Sequence, residues 1–421
     1  MLNAKIISLF QVGLARGLGA VSLLLFTTII ALRLDQESAG AFFFSQAFFL
    51  VSVILCKWGA DVALCKSLAV SLSGGRKIIG NVKVLSYLLN IVFLILSRLV
   101  VAFIILELVD WFLLDGRLYG GADFYIALCL NAIIVSLAGI FQAKRSINTY
   151  VIYQSALIPL ISGLAIIAFP VSDVKDCWRV VCLVSLIVMT MMFVHLNKIF
   201  QFTSVLRNNF SEIFDCKLFV FLYQQSRNIG ADQVITAANK FGYIIAIGVF
   251  IDPVEVTYFT VIQRFSMVIS FVLITVNAIY SPQYAVMVSD GDKVNLRRIF
   301  IGNNKLCLYA ALGVATTLLA LSSLLADFYN IPLRVFLYVL IVCGTAELVN
   351  VFTGSSGLVL QLADKSRFVF LSSLFFTSFG LLISVFVSLT ENLLFVALIY
   401  AMSMAGHNLN CYIRCRDYLK Q

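Results

Sequence analysis

The residues best able to do chemistry in this sequence are charges standing inside long apolar runs. They are Arg16, Lys57, Arg98, Arg227, Lys240 and Arg264 on the basic side, and Asp61, Asp232 and Glu347 on the acidic side. An ionisable group at the centre of a membrane-length apolar helix costs about 3 kcal/mol on insertion scales, so such groups face a polar cavity or a partner. Cations outnumber acids in the set, so the expected interior is cationic and its natural guest is an anion. A guanidinium in particular matches the oxygens of a phosphate or carboxylate. Arg16, Lys57, Arg98, Lys240 and Arg264 are therefore the candidate anion-binding groups. Lys57 and Asp61 stand four residues apart, which puts them on one face of a helix, and the plainer reading is that they neutralise each other.

A second pattern lies between 219 and 250. Gln225, Asn228, Asp232, Thr236, Asn239 and Tyr243 recur at steps of three or four and make one polar stripe, which does not belong against lipid. Glu347, with Asn350 one turn on, marks a further polar point. His195 and His407 each stand alone and read as hydrogen-bonded core residues. The cysteines fall mostly within apolar runs, as at Cys56, Cys129, Cys307 and Cys343, with no CxxC pair, and read as packing residues. No set of His, Cys and acidic residues has metal spacing, and no catalytic constellation is present, so neither an enzyme nor a bound metal or cofactor is expected.

The elements that must carry these residues are transmembrane helices. Of the 421 residues 61% are hydrophobic and only 12% charged, and the mean hydropathy is +1.01. A soluble domain carries about 25% charge, so this composition does not cover a water-facing surface. Apolar runs of about 20 residues follow one another with short connections, and without dyad alternation they select helices over a barrel. Twelve spans are predicted, at 6–32, 39–62, 83–106, 122–143, 149–171, 177–199, 219–250, 254–288, 299–326, 332–362, 368–389 and 393–413. Pro159 and Pro282 lie inside two of them and allow bends. The first run contains Arg16 and lacks a cleavage pattern, so it reads as a retained helix.

Charge sets the orientation. With the N-terminus inside, the cytoplasmic segments hold Lys66, Arg76, Lys77, Lys83, Lys144, Arg145, Lys198, Arg207, Lys293, Arg297, Arg298, Lys365, Arg367, Arg414 and others. The outer segments hold only Arg33, Arg117, Lys175, Arg179 and Arg334. Both termini are thus expected in the cytoplasm. The net charge of +9 sits on a face near anionic lipid and calls for no nucleic acid. A polar linker at 201–217 divides the chain into an N-terminal six-helix lobe, 1–200, and a C-terminal six-helix lobe, 218–421. The turns around Gln142 and Gln361 recur at an offset of 219 residues (361 minus 142), which suits parallel repeats.

The stretch from Ala31-Leu32-Arg33-Leu34 through Gly40 to Phe49, followed by Trp58-Gly59-Ala60-Asp61, resembles the opening of the polysaccharide-exporter branch of the MOP (multidrug, oligosaccharidyl-lipid, polysaccharide) superfamily. Asp232 followed by Tyr258, Pro282, and Asn350 with the Gln361 turn after it extend the resemblance along nearly the whole chain. Within that branch the sequence resembles the Wzx-type O-antigen or lipid-linked oligosaccharide flippases. The resemblance implies an all-α polytopic membrane protein, two lobes in a MATE-like V shape, and alternating access. It implies movement of undecaprenyl-diphosphate-linked oligosaccharide from the cytoplasmic to the periplasmic leaflet of the bacterial inner membrane, in lipopolysaccharide assembly. It also implies an ion gradient, of H⁺ or Na⁺; by their polarity within the apolar runs Asp232, Glu347, Asn228, Asn239 and Asp61 are the candidate coupling residues. A monomer is expected, with membrane lipid, a polysaccharide polymerase and a chain-length regulator as partners.

Two other readings compete. A membrane polysaccharide polymerase or glycosyltransferase would carry a sizeable outer loop with Arg, Asp or His, whereas the longest outer connection, 107–122, is acidic with one Arg. A drug or cation antiporter of the MATE type would want acids to dominate the first lobe, which instead offers Arg16, Lys57 and Arg98 against Asp61.

Overall fold

Apolar helices satisfy their own backbone hydrogen bonds, which is what a chain with this composition must do in lipid. The computed structural model describes the backbone of residues 2–73, 77–111, 121–144, 146–200, 216–390 and 392–420, with side chains for most of them. Among the described residues every regular element is a helix. The first half holds α1 (Leu2–Arg33), α2 (Gln36–Lys57), α3 (Ala60–Ser73), α4 (Lys77–Val109), α5 (Gly121–Ala143), α6 (Ile147–Val151), α7 (Leu157–Ala168) and α8 (Val174–Phe200). The second holds α9 (Cys216–Phe250), α10 (Pro253–Ile269), α11 (Phe271–Ser289), α12 (Lys293–Ala320), α13 (Ser322–Phe328), α14 (Leu333–Thr353), α15 (Ser356–Leu362), α16 (Ser366–Ser388) and α17 (Leu393–Lys420).

Among the described residues ten helical spans are long and apolar enough to cross a membrane, one running through α2 into α3 and one through α6 into α7, and an eleventh is obtained if α10 and the start of α11, bent by 47°, form one broken span. The apolar part of α1, Gly17–Arg33, is shorter than the rest. Among the described residues these spans do not confirm the predicted count of twelve, although each predicted segment falls on helix. Several predicted segments are broken by turns. The segment predicted as 39–62 is two helices, because Trp58 and Gly59 both take positive φ (36° and 75°) and stop α2. Gly354, at φ 62°, ends α14 in the same way and starts the short α15. Between α6 and α7 the backbone winds one π-helical turn, Ile152–Ala156. Pro159 lies just beyond and has no N–H to return to that turn, which widens the local hydrogen bonding.

By their internal contacts the described residues divide into two units. One comprises Leu18–Leu34 and Ser45–Ala237, the other Met1–Gly17, Asp35–Phe44 and Ala238–Gln421. We call them the N-terminal and C-terminal units. Most of the predicted linker 201–217 lies outside the described residues, and the division into six-helix lobes remains an expectation.

The N-terminal unit is built on α5, which packs against α3 and α8. Gly139 of α5 lies directly on the Asp61 carbonyl, a gap that a Cβ would fill. Phe49, Phe124 and Trp178 interlock edge-on, and the Trp178 indole donates to Ser45 Oγ at 3.0 Å. The outward faces are apolar, as at Phe93, Val100, Val101 and Ile104 of α4, and suit lipid contact.

The C-terminal unit is built on α14, which packs on α10, α12 and α17, while α17 also carries α16. The start of α2 belongs to it. Gln36 accepts from Thr257 through its backbone carbonyl (2.7 Å) and from the Tyr258 hydroxyl through its side chain (3.1 Å), and it donates to the Asn330 carbonyl (2.7 Å). Gly40 sits against the Pro253 carbonyl, where no side chain fits.

Candidate functional site

The interior charges fall into two groups, one in each unit. In the N-terminal unit the helix break at Trp58-Gly59 organises the first. Glycine at 59 is required twice over. Its φ is left-handed, and an added Cβ would stand 2.9 Å from the Ser226 carbonyl oxygen and from the Gly230 amide. Trp58 lies over Gly230 of α9 and donates its indole N–H to the Arg227 carbonyl at 3.0 Å.

Across this break Lys57 Nζ still reaches Asp61 Oδ2, at 2.8 Å, with the two side chains only 8% and 3% exposed. The sequence placed both residues on one helix. In the structure they end one helix and begin the next, and the pairing survives because the turn between them is so short. Asp61 also receives the Gln233 side-chain amide at 3.5 Å.

Arg98, half-buried on α4, donates to the Lys57 carbonyl (3.2 Å) and to Ser226 Oγ (3.1 Å), and its guanidinium lies 5.7 Å from the Tyr223 ring centroid. It thus closes a carbonyl at the C-terminus of α2, where a cation is favoured. Lys57 is neutralised by Asp61, so the net positive charge of this cluster resides on Arg98.

The second group is in the C-terminal unit. Glu347 of α14 is 3% exposed and Arg264 of α10 is 6% exposed, whereas Lys240 of α9 is exposed. Lys240 lies within electrostatic reach of both Glu347 and Arg264. The ion pairs found among the described residues are Lys57–Asp61 and those of Arg179 with Asp123 and Asp176. None of the three charges of this group is in direct contact with another.

Neutral groups hold them in place. Glu347 accepts from Asn350 at 3.3 Å. Gln263 donates to the Lys240 carbonyl at 3.4 Å. Arg264 Nη1 touches the Met267 sulfur at 3.9 Å, and the guanidinium lies 5.6 Å from the centre of the Phe241 ring. Its Nε has no hydrogen-bond partner, and neither do Thr260 Oγ1, one turn earlier on α10, and Asn239 Oδ1, beside Lys240. A buried guanidinium with an unmet donor, among unmet neutral polar atoms, is equipped to take an anionic oxygen.

Of the sequence-predicted residues, Lys57, Asp61 and Arg98 come together, and Lys240, Arg264 and Glu347 share the C-terminal unit. Arg16 lies in α1 and Asn228 in α9, but their side chains, like that of Gln225, lie outside the described residues. The remaining stripe of α9 is carried by Asp232, half-buried; Thr236, whose hydroxyl donates to the Asp232 carbonyl at 2.9 Å; Asn239; and Tyr243, fully buried against Tyr400.

Tyr223, Ser226 and Gln233 around the first cluster, and Gln263 around the second, were not singled out from sequence. Only their polarity within apolar runs could have flagged them. His195 lies 3.4 Å from the Tyr153 hydroxyl and His407 3.1 Å from Ser372 Oγ, each in a local hydrogen bond. The nine described cysteines are free, six of them buried. Among the described residues no group of three His, Cys, Asp or Glu is placed to hold a metal.

The fold is similar to that of several solved membrane transporters. An inward-facing multidrug-resistance MATE transporter of the MOP superfamily matches over 97% of this chain and 94% of its own, with TM-score 0.63 and 11% identity. A MOP transporter from Pyrococcus furiosus, described by the reverse polarity of its binding pocket, matches over 98% and 95%, with TM-score 0.65 and 11% identity. The lipid II flippase MurJ, in an inward closed conformation, matches over 98% and 87%, with TM-score 0.63 and 14% identity. No family model and no curated protein sequence matches the chain. At these identities the likeness is one of fold.

Proposed function

We propose that this protein is a flippase for lipid-linked oligosaccharides, carrying undecaprenyl-diphosphate-linked repeat units from the cytoplasmic to the periplasmic leaflet by ion-coupled alternating access. The observation that carries the reading is Arg264. It is buried within a polytopic membrane fold, lies outside direct reach of any described carboxylate, and has an unmet N–H, with Lys240 close by. A diphosphate supplies what that group lacks, several anionic oxygens able to accept from a guanidinium and an ammonium together. The shared fold with a lipid II flippase supports the class of cargo, and the sequence resemblance to Wzx-type exporters supports the oligosaccharide.

The roles divide accordingly. Arg264 and Lys240 bind the diphosphate. Lys57 serves the structure through Asp61. Asp232 and Glu347, with Asn239 and Asn228 nearby on the α9 stripe, are the coupling-ion candidates. In a strain lacking the gene, lipid-linked repeat units accumulate, and the wild-type chain relieves the accumulation. Arg264→Ala at normal protein level leaves it in place, whereas full relief by that variant overturns the assignment.

A second reading, a MATE-type drug or cation antiporter, draws on the neutralised Lys57–Asp61 pair, which lowers the cationic excess, and on the shared fold with multidrug transporters. Drug efflux in a sensitised host, lost on Asp232→Asn, would select it.

A further inference from the structure

Three cations of the C-terminal unit are held on aromatic rings where α12 and α16 begin and α17 ends. Lys293, the first residue of α12, and Lys365, just before α16, both bring their ammonium groups to the Tyr418 ring in the last turn of α17, 5.0 and 4.6 Å from its centroid. The two nitrogens are therefore at most 9.6 Å apart, the sum of those distances. One turn away the contact recurs with the partners exchanged, the Arg414 guanidinium of α17 lying 5.8 Å from the centre of the Phe368 ring of α16.

A ring face attracts a cation but carries no net charge to neutralise it. None of the ion pairs among the described residues involves Lys293, Lys365 or Arg414. Asp292, beside Lys293 in the chain, is engaged in capping α12, where it accepts from the Asn295 amide at 3.1 Å and from the Asn295 side chain at 2.6 Å. Asp364 and Asp417 are exposed and enter no ion pair. Three positive charges are thus gathered without a carboxylate in contact.

The helix that starts at this cluster also carries an apolar track. Leu371, Leu374, Phe375, Phe379 and Leu382 follow one another at helical spacing, stay exposed, and line a groove of about 450 Å³ along α16. Phe375 and Phe379 stack with their planes 3° apart, which gives the groove a flat wall. The track runs on from Arg367, exposed one turn before Leu371. Ser366–Ser388 is long and apolar enough to span a membrane, so hydrocarbon is the natural cover for this face.

We propose that this end of the C-terminal unit is a docking site for an anionic membrane phospholipid. Its phosphate sits among Lys293, Lys365 and Arg414, and one acyl chain lies along α16 over Phe375 and Phe379. Charge complementarity selects this occupant. An anionic headgroup supplies the missing counter-charge, whereas a zwitterionic one brings a cation of its own against the three already there. The bound lipid ties the start of α12 and the α15–α16 turn to the end of α17.

The test is lipid binding to the purified full-length chain in detergent, read by native mass spectrometry. The probes are phosphatidylglycerol, phosphatidylcholine with the same acyl chains, and glycerol 3-phosphate as a headgroup without chains. Phosphatidylglycerol is expected to bind at least tenfold more tightly than phosphatidylcholine, and glycerol 3-phosphate not to displace it. Lys293→Gln, Lys365→Gln and Arg414→Gln together are expected to erase the preference and leave phosphatidylcholine binding unchanged. If that triple variant does not fold, Lys365→Gln alone carries the test, with at least a threefold loss that Lys365→Arg does not show. Equal binding of the two lipids by wild type, or a preference that survives these substitutions, overturns the headgroup site. Displacement by glycerol 3-phosphate as effective as by phosphatidylglycerol overturns the lipid and leaves a site for soluble phosphate.

Discussion

At the scale of single residues, the balance of charge decides what each cation is free to do. Lys57 and Arg264 are both buried, but only Lys57 has a carboxylate in contact. Removing one partner of a buried pair strands the other, at about 3 kcal/mol, whereas replacing both by apolar groups is often neutral. Asp61→Asn is therefore expected to lower the thermal midpoint of the detergent-solubilised protein by several degrees, and Lys57→Met with Asp61→Leu to restore most of it. A double variant as unstable as the single would mean that the pair does more than neutralise itself. The i, i+4 spacing made this pair legible in the sequence. The hydrogen bonds of Arg98 to the Lys57 carbonyl and Ser226 were not, because they join residues 41 and 128 positions apart through groups with no linear signature.

Helices and their breaks come next. Apolar length announced nearly every helix, since that signal is local and strong. The breaks were harder to read, because hydropathy hardly changes across Trp58-Gly59 or Gly354-Ser355 while the backbone reverses its φ. Gly59→Ala places a Cβ on left-handed backbone and within 3 Å of α9, and is expected to cost about 2 kcal/mol. The loss should appear as a lower midpoint and reduced expression, and an unchanged midpoint would show that the α2–α3 turn tolerates strain. Asp252 caps α10 by accepting from the Val254 amide at 2.7 Å, ahead of Pro253 at the first helical position. Asp252→Ala should cost about 1 kcal/mol by the same measurement, with Asp252→Asn close to wild type.

At the scale of the whole molecule, fold class was legible from composition and the apolar runs. The grouping of interior charges was not, because it depends on which helices pack together. Lys240, Arg264 and Glu347 are spread over more than a hundred positions, yet they share one unit. The orientation drawn from basic residues predicts that, in a cysteine-free background, Ser172→Cys reacts with a membrane-impermeant maleimide in intact spheroplasts. Asn295→Cys should react only after lysis. The reverse pattern would invert the protein in the membrane and with it the direction of transport.

The central claim is transport of a lipid-linked diphosphate through Arg264. Its most direct test uses purified protein in proteoliposomes carrying a fluorescent undecaprenyl-diphosphate oligosaccharide, with a membrane-impermeant quencher reporting how much label remains in the outer leaflet. Under an imposed ion gradient the wild type is expected to move label between leaflets, and Arg264→Ala to slow that movement at least tenfold. Equal rates for the two proteins, or no movement by a wild type that restores export in cells, would contradict the account.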